Sequence, residues 1–154
     1  MESKVTTREK IISCFKDGQT IAIGGQTGHW MPERLIDCIL ESGARHLTVY
    51  SIDTSDPGVG IGRLIRAKVI DRIITTHVGT NPDTNAQIQA GTLQAEFSPI
   101  GNLAYRGSTG RASHPIVATC GDLSIVECDH FCDLGEITPD EVEVPGMFVD
   151  MILV

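Results

Sequence analysis

The stretch IAIGGQTGHWMPERL, residues 21–35, decides the fold of this chain. Its apolar run, Ile21–Ile23, stops at two adjacent glycines, and Pro32 begins a helical pattern. Proline is favoured in the first turn of a helix because an N–H at that position would have no partner. The stretch therefore predicts a strand, a glycine-rich turn and a helix in succession. The turn also contains His29 and Trp30, the chain's only tryptophan.

The same strand–turn–helix pattern recurs on both sides of this stretch. Thr6 and Glu9 have the spacing of a capping box, and the helix that they begin is expected to end at Asp17–Gly18. Further elements follow in alternation: strands at Thr20–Ile23, His46–Ser51, Arg72–His77 and Ala95–Ser98, and helices at Pro32–Ser42, Gly62–Lys68 and Pro82–Ala90. Repeated units of this kind predict right-handed crossovers and an α/β fold, with an open, mostly parallel sheet and flanking helices.

The C-terminal third continues the apolar pattern without a recognisable linker. Two apolar runs, Pro115–Ala118 and Leu123–Val126, precede a strand-like tail at Phe148–Val154. The polar stretch Arg106–Ser113 is the one candidate hinge. The whole chain, residues 1–154, is expected to form one domain.

Composition narrows the function classes. The chain has 154 residues, 41% of them apolar and 21% charged, which is typical of a globular protein. Its net charge is −8 and it has no cluster of Lys and Arg, so nucleic acid is not an expected partner. A phosphate-bearing ligand would be repelled unless backbone dipoles or a partner protein compensate. No apolar run is long enough to span a bilayer, so no membrane partner is expected.

The cysteines favour a reducing compartment. Their number, five, is odd, and the charged start MESKVTTREK does not have the pattern of a signal peptide. We therefore expect a cytoplasmic protein, with Cys14 and Cys38 as small apolar residues in helices.

Three unusual stretches fall where predicted strands end: Gly24–Trp30, His77–Asn81 and Pro99–Asn102. Ligands of open parallel sheets bind outside the carboxyl ends of the strands. The coincidence predicts a site formed by these three stretches.

The glycines at 24, 25 and 28 allow a backbone that approaches a ligand closely and points its N–H groups at an anion or a developing oxyanion. The helix beginning at Pro32 is a second candidate source of positive potential. A tight connection without any ligand is the alternative. Neither the GxGxxG nor the Walker pattern occurs, so a dinucleotide site and a P-loop have no support.

Each distinctive side chain has an alternative explanation. His29 is either a site residue or an exposed loop histidine, and Trp30 is either a core residue or an interface anchor. His77 could equally be a hydrogen-bonded imidazole of the core. Asn81 before Pro82 has the pattern of a helix N-cap.

Zinc and carboxylate chemistry have little support. Cys128, His130 and Cys132, with Cys120 nearby, have tolerable spacing for zinc, but a second pair of ligands is missing. Three loop aspartates are interpreted as turn formers: Asp53, Asp56 and Asp129.

Taken in order, these segments resemble the α subunit of the two-subunit family I CoA transferases, the acetate/acetoacetate and 3-oxoacid type. The family begins with Asp-Gly, an apolar strand, Gly-Gly-Phe, a spacer and Gly-x-Pro, which corresponds to Asp17–Pro32 here. Its second strand and glycine loop resemble the segment LTVYSIDTSDPGVGIGRLI. Its fourth strand and turn resemble the segment AEFSPIGNL. VIDRIITTHVGTNPDTNAQIQAG is similar to its Ser-His-Ile-Gly-Thr-Asn-Pro segment, and residues 115–154 are similar to its C-terminal segment.

The chain departs from the family pattern in two ways. Gln26 stands where the family has Phe, and Trp30 stands where it has Gly. Residues 106–113 replace a longer family insert that helps to form the wall of the acyl-CoA site, so the chain is internally shortened.

The resemblance implies a fold of the CoA-transferase/sugar-phosphate-isomerase-like superfamily and a CoA transferase acting on short-chain (keto) acids. Coenzyme A is then a substrate, no metal is expected, and the covalent glutamate lies on a β-type partner in a hetero-oligomer. His29 is the catalytic candidate. The substrate- or oxyanion-binding candidates are Gly24, Gly25, Gln26, Thr27, Gly28, Trp30, His77, Gly79, Thr80, Asn81, Gly101 and Asn102.

Two alternatives follow from the departures. One is a CoA-independent isomerase, hydrolase or lyase subunit acting on a small oxo or sugar acid, with His29 as the acid–base group. The other is a non-catalytic structural subunit.

Overall fold

Four parallel strands in chain order form the main sheet. The computed structural model describes residues 3–99, 119, 121–133, 135–142 and 144–154. Neighbours in the sheet follow the order β1-β2-β3-β4. Their bounds are β1 Thr20–Ala22, β2 Leu47–Tyr50, β3 Ile70–Thr75 and β4 Gln94–Phe97. The predicted α/β fold with an open parallel sheet is confirmed.

The helices that connect these strands lie on one face of the sheet. They are α2 (Glu33–Ser42), α3 (Ile61–Arg66) and α4 (Pro82–Gln89), and α1 (Arg8–Ile12) precedes them. Right-handed crossovers between strands in chain order place successive helices on the same side. The register aligns Ile21, Val49, Ile73 and Ala95 in one row, and this row packs with apolar residues of α2, α3 and α4 in a single core cluster.

A second, smaller cluster covers the outer side of α2. Strands β5 (Ile125–Glu127) and β6 (Met151–Leu153) pair in parallel, and two 3₁₀ turns lie between them, at Pro139–Glu141 and Gly146–Phe148. Buried Leu35 and Cys38 of α2 pack here with Ile11 of α1 and Leu153 of β6. Helix α2 is therefore buried on two sides.

The ends of the helices follow local chemistry. Gly43 directly follows the predicted helix Pro32–Ser42; it has φ +74° and its N–H donates to the carbonyl oxygen of Leu40, the geometry of a C-cap glycine. The side-chain oxygen of Asn81 accepts from the N–H groups of Asp83 and Thr84, at 3.0 and 3.3 Å, which confirms the predicted N-cap of α4. Pro32 occupies the N-cap position of α2, so the helix begins at Glu33, one residue after the predicted start.

Several predicted boundaries are wrong. Thr7, not Thr6, caps α1, and this helix ends at Ile12, so Cys14 lies outside it. Strand β3 begins at Ile70 because a register irregularity beside Leu47 brings Ile70 into the ladder. Strand β3 ends at Thr75, so His77 follows the strand and does not belong to it.

The C-terminal segments are shorter than predicted. The tail predicted at Phe148–Val154 reduces to β6, because a 3₁₀ turn precedes it. The run predicted at 123–126 is β5. The runs at 115–118 and 106–113 lie outside the described residues. None of the described helices has the length and apolar character needed to cross a bilayer.

Among the described glycines, Gly62 in α3 has the closest neighbouring backbone atom. A Cβ at this position would lie 2.1 Å from the carbonyl oxygen of Asp56. We expect Gly62→Ala to lower the free energy of unfolding by about 2 kcal/mol, because the backbone of the preceding loop must move. Urea denaturation followed by circular dichroism measures the change.

Gly79→Ala is the matched control, since a Cβ at position 79 meets nothing within 4 Å. We expect its effect to stay within about 0.5 kcal/mol. Equal stability losses in the two variants would contradict the packing argument.

Candidate functional site

The loops that follow β1, β2 and β3 meet at one edge of the sheet, here called the carboxyl edge. The Thr27 N–H, from the loop after β1, donates to Asp53 Oδ2 in the loop after β2, at 2.7 Å. Asn81 Nδ2, from the loop after β3, donates to the carbonyl oxygen of Thr54 at 3.0 Å. The loop after β2 thus joins the other two. The structure brings Gly24–Trp30 and His77–Asn81 to the same edge, as their positions after parallel strands predict.

The glycine loop, residues Gly24–Trp30, is closed by a tight turn. Gln26 and His29 exchange two backbone hydrogen bonds, 3.0 Å for Gln26 N–H to His29 O and 2.8 Å for His29 N–H to Gln26 O. The two central residues, Thr27 and Gly28, have φ of +47° and +82°. This is the geometry of a type I′ turn, in which both central residues have positive φ.

Close packing fixes the glycines of this loop. Gly25 has φ +108°, and a Cβ there would lie 2.6 Å from Met31 Sδ. A Cβ at Gly28 would lie 3.0 Å from a methyl group of Val59 in the loop after β2. A side chain at Gly25 would press on Met31 and one at Gly28 would press on Val59, and both positions have the positive φ that favours glycine.

The hydrogen bonds of the loop decide which amides remain for a ligand. The N–H groups of Gln26, Thr27 and His29 are all used within the chain. In the part of the chain that the structure describes, the amides of the three glycines have no hydrogen-bond partner: Gly24, Gly25 and Gly28. These three amides are therefore the backbone donors that this loop could offer to an anion or an oxyanion.

The side chains of the loop point to solvent. Gln26, Thr27, His29 and Trp30 are exposed, and the rings of His29 and Trp30 lie 6.0 Å apart. Trp30 is 66% exposed, so its interpretation as a core residue is wrong within this chain. Trp30 also has φ +53°, a conformation that a bulky residue adopts only when its surroundings hold it there.

The residues after β3 divide into exposed and buried positions. His77 is exposed, and its Nδ1 lies 3.0 Å from Thr76 Oγ1, so its interpretation as a core imidazole is wrong. Gly79 and Thr80 are exposed too, while Asn81 is fully buried because it caps α4. Two further candidates, Gly101 and Asn102, lie outside the described residues.

The N-terminus of α2 is occupied by the chain itself. Glu127 Oε2 accepts from the backbone N–H groups of Arg34 and Leu35, at 2.8 and 3.0 Å, and Glu127 Oε1 lies 3.2 Å from Arg34 Nε. This carboxylate lies at the positive end of the helix dipole and interacts favourably with it. The prediction that α2 contributes positive potential to the glycine loop is therefore wrong, because Glu127 already neutralises it.

A second charged contact attaches α2 to the loop after β2. Glu33 Oε1 accepts from the Gly60 N–H at 2.6 Å, and Glu33 Oε2 lies 2.9 Å from Arg63 Nη1. Arg63 also pairs with Asp37, and hydrogen bonds to Asp37 and Glu33 raise the pKa of the Arg63 guanidinium. Arg63 therefore stays charged and holds α2 and α3 together beside the carboxyl edge.

Sequence reasoning missed the importance of the loop after β2. Asp53 is a turn former, as predicted, because its Oδ1 accepts from the Ser55 N–H at 2.7 Å. Asp53 is also fully buried, together with its neighbours Ser51, Thr54 and Ser55. Among the described residues, the hydroxyls of these three neighbours have no partner. A run of small polar residues directly after an apolar strand was the available signal.

The cysteines contribute no shared site in the described residues. Cys38 is buried in α2, and burial raises the pKa of its thiol. Cys128 donates to the carbonyl oxygen of His130, Cys132 is exposed, and Cys120 lies outside the described residues. Within that described part, no three His, Cys, Asp or Glu side chains group in a way that could hold a metal ion.

Comparisons with known proteins place these features in a family. The family model described as Coenzyme A transferase matches residues 5–107 and again 97–154. The acetate CoA-transferase subunit alpha of Escherichia coli is 27% identical over an alignment of 216 residues, which covers all of this chain and 98% of that protein.

Two further relatives match the chain over a shorter range. The acetoacetyl-CoA:acetate/butyrate CoA transferase alpha subunit of Clostridium acetobutylicum is 39% identical over 110 residues, or 71% of this chain and 50% of that protein. The probable coenzyme A transferase subunit alpha of Bacillus subtilis is 38% identical over 109 residues, or 71% of this chain and 48% of that protein. The chain thus spans about half the length of these two relatives.

The contact between Glu127 and α2 can be tested by removing its charge. We expect Glu127→Gln to lower the free energy of unfolding by about 1–2 kcal/mol, because a neutral amide accepts weakly from two amides at a helix N-terminus and loses the ion pair with Arg34. Thermal and urea denaturation of the purified chain measure the effect.

Asp129→Asn is the matched control. Asp129 pairs with the same arginine at 2.8 Å but its side chain is 81% exposed. We expect a change of about 0.5 kcal/mol or less, because exposed ion pairs contribute little. A larger loss for Asp129→Asn than for Glu127→Gln would contradict this assignment.

Proposed function

This chain belongs to the coenzyme A transferase family, and from that membership we propose that it is the α-type subunit of a two-chain CoA transferase. The proposed reaction moves CoA between short-chain (keto) acids, with the catalytic glutamate on a β-type partner. The match of the family model to both halves of the chain, residues 5–107 and 97–154, carries this proposal. The relatives named above, which are alpha subunits, support the α-type assignment.

In the proposed reaction this chain supplies binding and not covalent chemistry. The partner's glutamate attacks the acyl-CoA thioester and forms a mixed anhydride with release of the CoA thiolate, which then attacks the glutamyl carbonyl and releases the first acid. The second acid reverses these steps. Each step passes through a tetrahedral oxyanion, which backbone N–H groups stabilise. Among the described residues, the unpaired amides of Gly24, Gly25 and Gly28 are the donors in this chain that fit that role.

The charge of the chain bears on how CoA would be held. Coenzyme A is a polyanion, and this chain has a net charge of −8. Glu127 already neutralises the N-terminus of α2, so that helix has no free positive end for a phosphate. We therefore assign the CoA phosphates to the β-type partner and the acyl end of the substrate to the glycine loop.

We further propose that the chain has lost a family insert near residues 106–113. The two segments matched by the family model share residues 97–107, which supports a junction at this point. The alignment with the Escherichia coli protein extends over 216 residues, whereas this chain has 154. In the proposed site, the exposed ring of Trp30 takes over part of the wall that the insert would form.

Activity of the reconstituted pair tests the proposal. The chain and a β-type chain from the same source are co-purified and assayed for CoA transfer from acetyl-CoA or acetoacetyl-CoA to short acids. We expect turnover by the pair and none by either chain alone. Absence of CoA transfer by a stable pair would refute the transferase assignment. A β-type chain that is equally active alone would favour the non-catalytic alternative.

A CoA-independent reaction is the second candidate, and the exposure of His29 favours it. The His29 backbone is held in the type I′ turn, while the residue is exposed at the carboxyl edge. We expect His29→Ala to change CoA transfer by less than about threefold, because oxyanion stabilisation here uses backbone amides. Turnover of a small oxo or sugar acid without CoA, reduced by about a hundredfold or more in His29→Ala, would favour the second candidate.

The substitution Trp30→Gly tests the proposed wall. Glycine adopts φ +53° without strain, so we expect the free energy of unfolding to rise by about 1 kcal/mol. We also expect the kcat/KM ratio of hexanoate to acetate to rise by about tenfold, because the ring no longer excludes the longer chain. Steady-state kinetics of the pair measures the ratio.

Lys68→Gly is the matched control for Trp30→Gly. Lys68 has φ +54° but lies before β3, at the opposite edge of the sheet. The control should gain similar stability and keep the wild-type substrate ratio. An unchanged ratio in Trp30→Gly would remove Trp30 from the site.

A further inference from the structure

Asp53 connects two loops of the carboxyl edge through a fully buried carboxylate. Its Oδ2 accepts from the Thr27 N–H and its Oδ1 from the Ser55 N–H, both at 2.7 Å. The side chain is 0% exposed. A buried carboxylate is tolerated only when hydrogen bonds to its oxygens replace water, so the position of Asp53 depends on these two amides.

Both amides belong to residues with strained backbones. Thr27 has φ +47° and Ser55 has φ +52°. Left-handed conformations are costly for residues with a Cβ, and most of all for β-branched residues such as threonine. Such strain persists only where the surrounding structure imposes it. The bonds to Asp53 fix the peptide units that precede Thr27 and Ser55, and in the glycine loop the two bonds between Gln26 and His29 close the turn around Thr27.

The conformation of Thr27 determines the rest of the glycine loop. Thr27 is the first central residue of the turn that pairs Gln26 with His29. A return of Thr27 to negative φ would rotate the following peptide and open this turn. The unpaired amides of Gly25 and Gly28 and the exposed ring of Trp30 would then change direction.

We propose that Asp53 is a positioning residue of the glycine loop, which holds Thr27 in the left-handed conformation and thereby aims the loop's amides and Trp30 at the substrate. The inference rests on the proposed function for its catalytic consequence. Its structural part concerns the loop alone and is measured independently of any reaction.

The first variant is Asp53→Asn, which keeps the shape of the side chain. An amide accepts at its oxygen only, so it can retain one of the two bonds and turns its NH₂ group against the other donor. We expect the local bond to Ser55 to persist, as in an ordinary Asx-turn, and the bond to Thr27 to be lost.

The second variant adds Thr27→Gly to Asp53→Asn. Glycine populates positive φ about as readily as negative φ, so residue 27 then needs no carboxylate to hold it. Recovery in the double variant would separate a positioning role from a general loss of stability.

Asp17→Asn is the matched control. Asp17 Oδ1 accepts from the Arg45 N–H at 2.7 Å and joins the segments before β1 and β2, at the opposite edge of the sheet. The substitution makes the same carboxylate-to-amide change at a side chain that binds a backbone N–H, without touching the glycine loop.

Trp30, the chain's only tryptophan, reports the loop conformation directly. Emission and acrylamide quenching of the folded full chain should change in Asp53→Asn, return to the wild-type values in the double variant, and stay unchanged in Asp17→Asn.

In the reconstituted pair, kcat should fall by at least about tenfold in Asp53→Asn while KM for the acid changes less than about threefold, because oxyanion contacts act mainly on the transition state. The double variant should recover to within about threefold of the wild-type kcat.

The fluorescence results test the structural part of the inference, and the kinetic results test its catalytic part. Unchanged Trp30 emission and quenching in Asp53→Asn, or equal effects in Asp17→Asn, would overturn the inference. A pair that transfers CoA with an unaltered kcat in Asp53→Asn would overturn its catalytic part and leave the proposed function standing. If the wild-type pair shows no CoA transfer, the proposed function fails, and the fluorescence comparison still judges the loop.

A wild-type measurement covers the case in which Asp53→Asn does not fold. Amide hydrogen exchange of the full chain reports on the Thr27 N–H without any substitution. We expect exchange at least about a hundredfold slower than in an unstructured peptide, because the N–H is bound to a buried acceptor. Exchange at the unprotected rate would overturn the inference.

Discussion

An apolar row across four parallel strands is the constraint on which the rest of this structure depends. Ile21, Val49, Ile73 and Ala95 stand side by side and need cover from helices on their face. Because the strands run in chain order, right-handed crossovers place α2, α3 and α4 on that one face. The same arrangement sends the loops after β1, β2 and β3 to one edge. The position of the candidate site therefore follows from the way in which the helices cover the core.

At that edge, hydrogen bonds of buried polar side chains hold the loops close together, and several loop residues have strained backbone conformations. Asp53 joins the loop after β1 to the loop after β2, and Asn81 joins the latter to the loop after β3. Thr27, Trp30 and Ser55 all have positive φ here. Strain of about 1–3 kcal/mol per residue is a common feature of functional sites, where it keeps groups in place before the ligand arrives. The core beneath the edge supplies the stability that offsets this strain.

The C-terminal pair of strands changes the electrostatics of the site. Glu127 of β5 binds the N-terminus of α2, which attaches β5 to this helix and neutralises the helix dipole. Among the described residues of the glycine loop, the donors left for an anion are therefore the backbone amides of Gly24, Gly25 and Gly28. The net charge of −8 supports the proposal that a partner protein binds the CoA phosphates, and the relatives are named as alpha subunits.

The sequence by itself determined the alternation of strands and helices, the caps at Asn81 and Gly43, and the family, because these depend on local spacing and on ordered motifs. It also placed the glycine loop and His77–Asn81 after parallel strands. Only the tertiary structure decided that Trp30 and His77 are exposed, that Asp53 is buried, and that Glu127 binds the N-terminus of α2. The last two outcomes depend on residues far apart in the chain, since Glu127 and Arg34 are separated by 93 residues and Asp53 and Thr27 by 26. Local pattern cannot show which carboxylate reaches which amide, because hydrogen bonds of that kind form only after the core has brought the loops together.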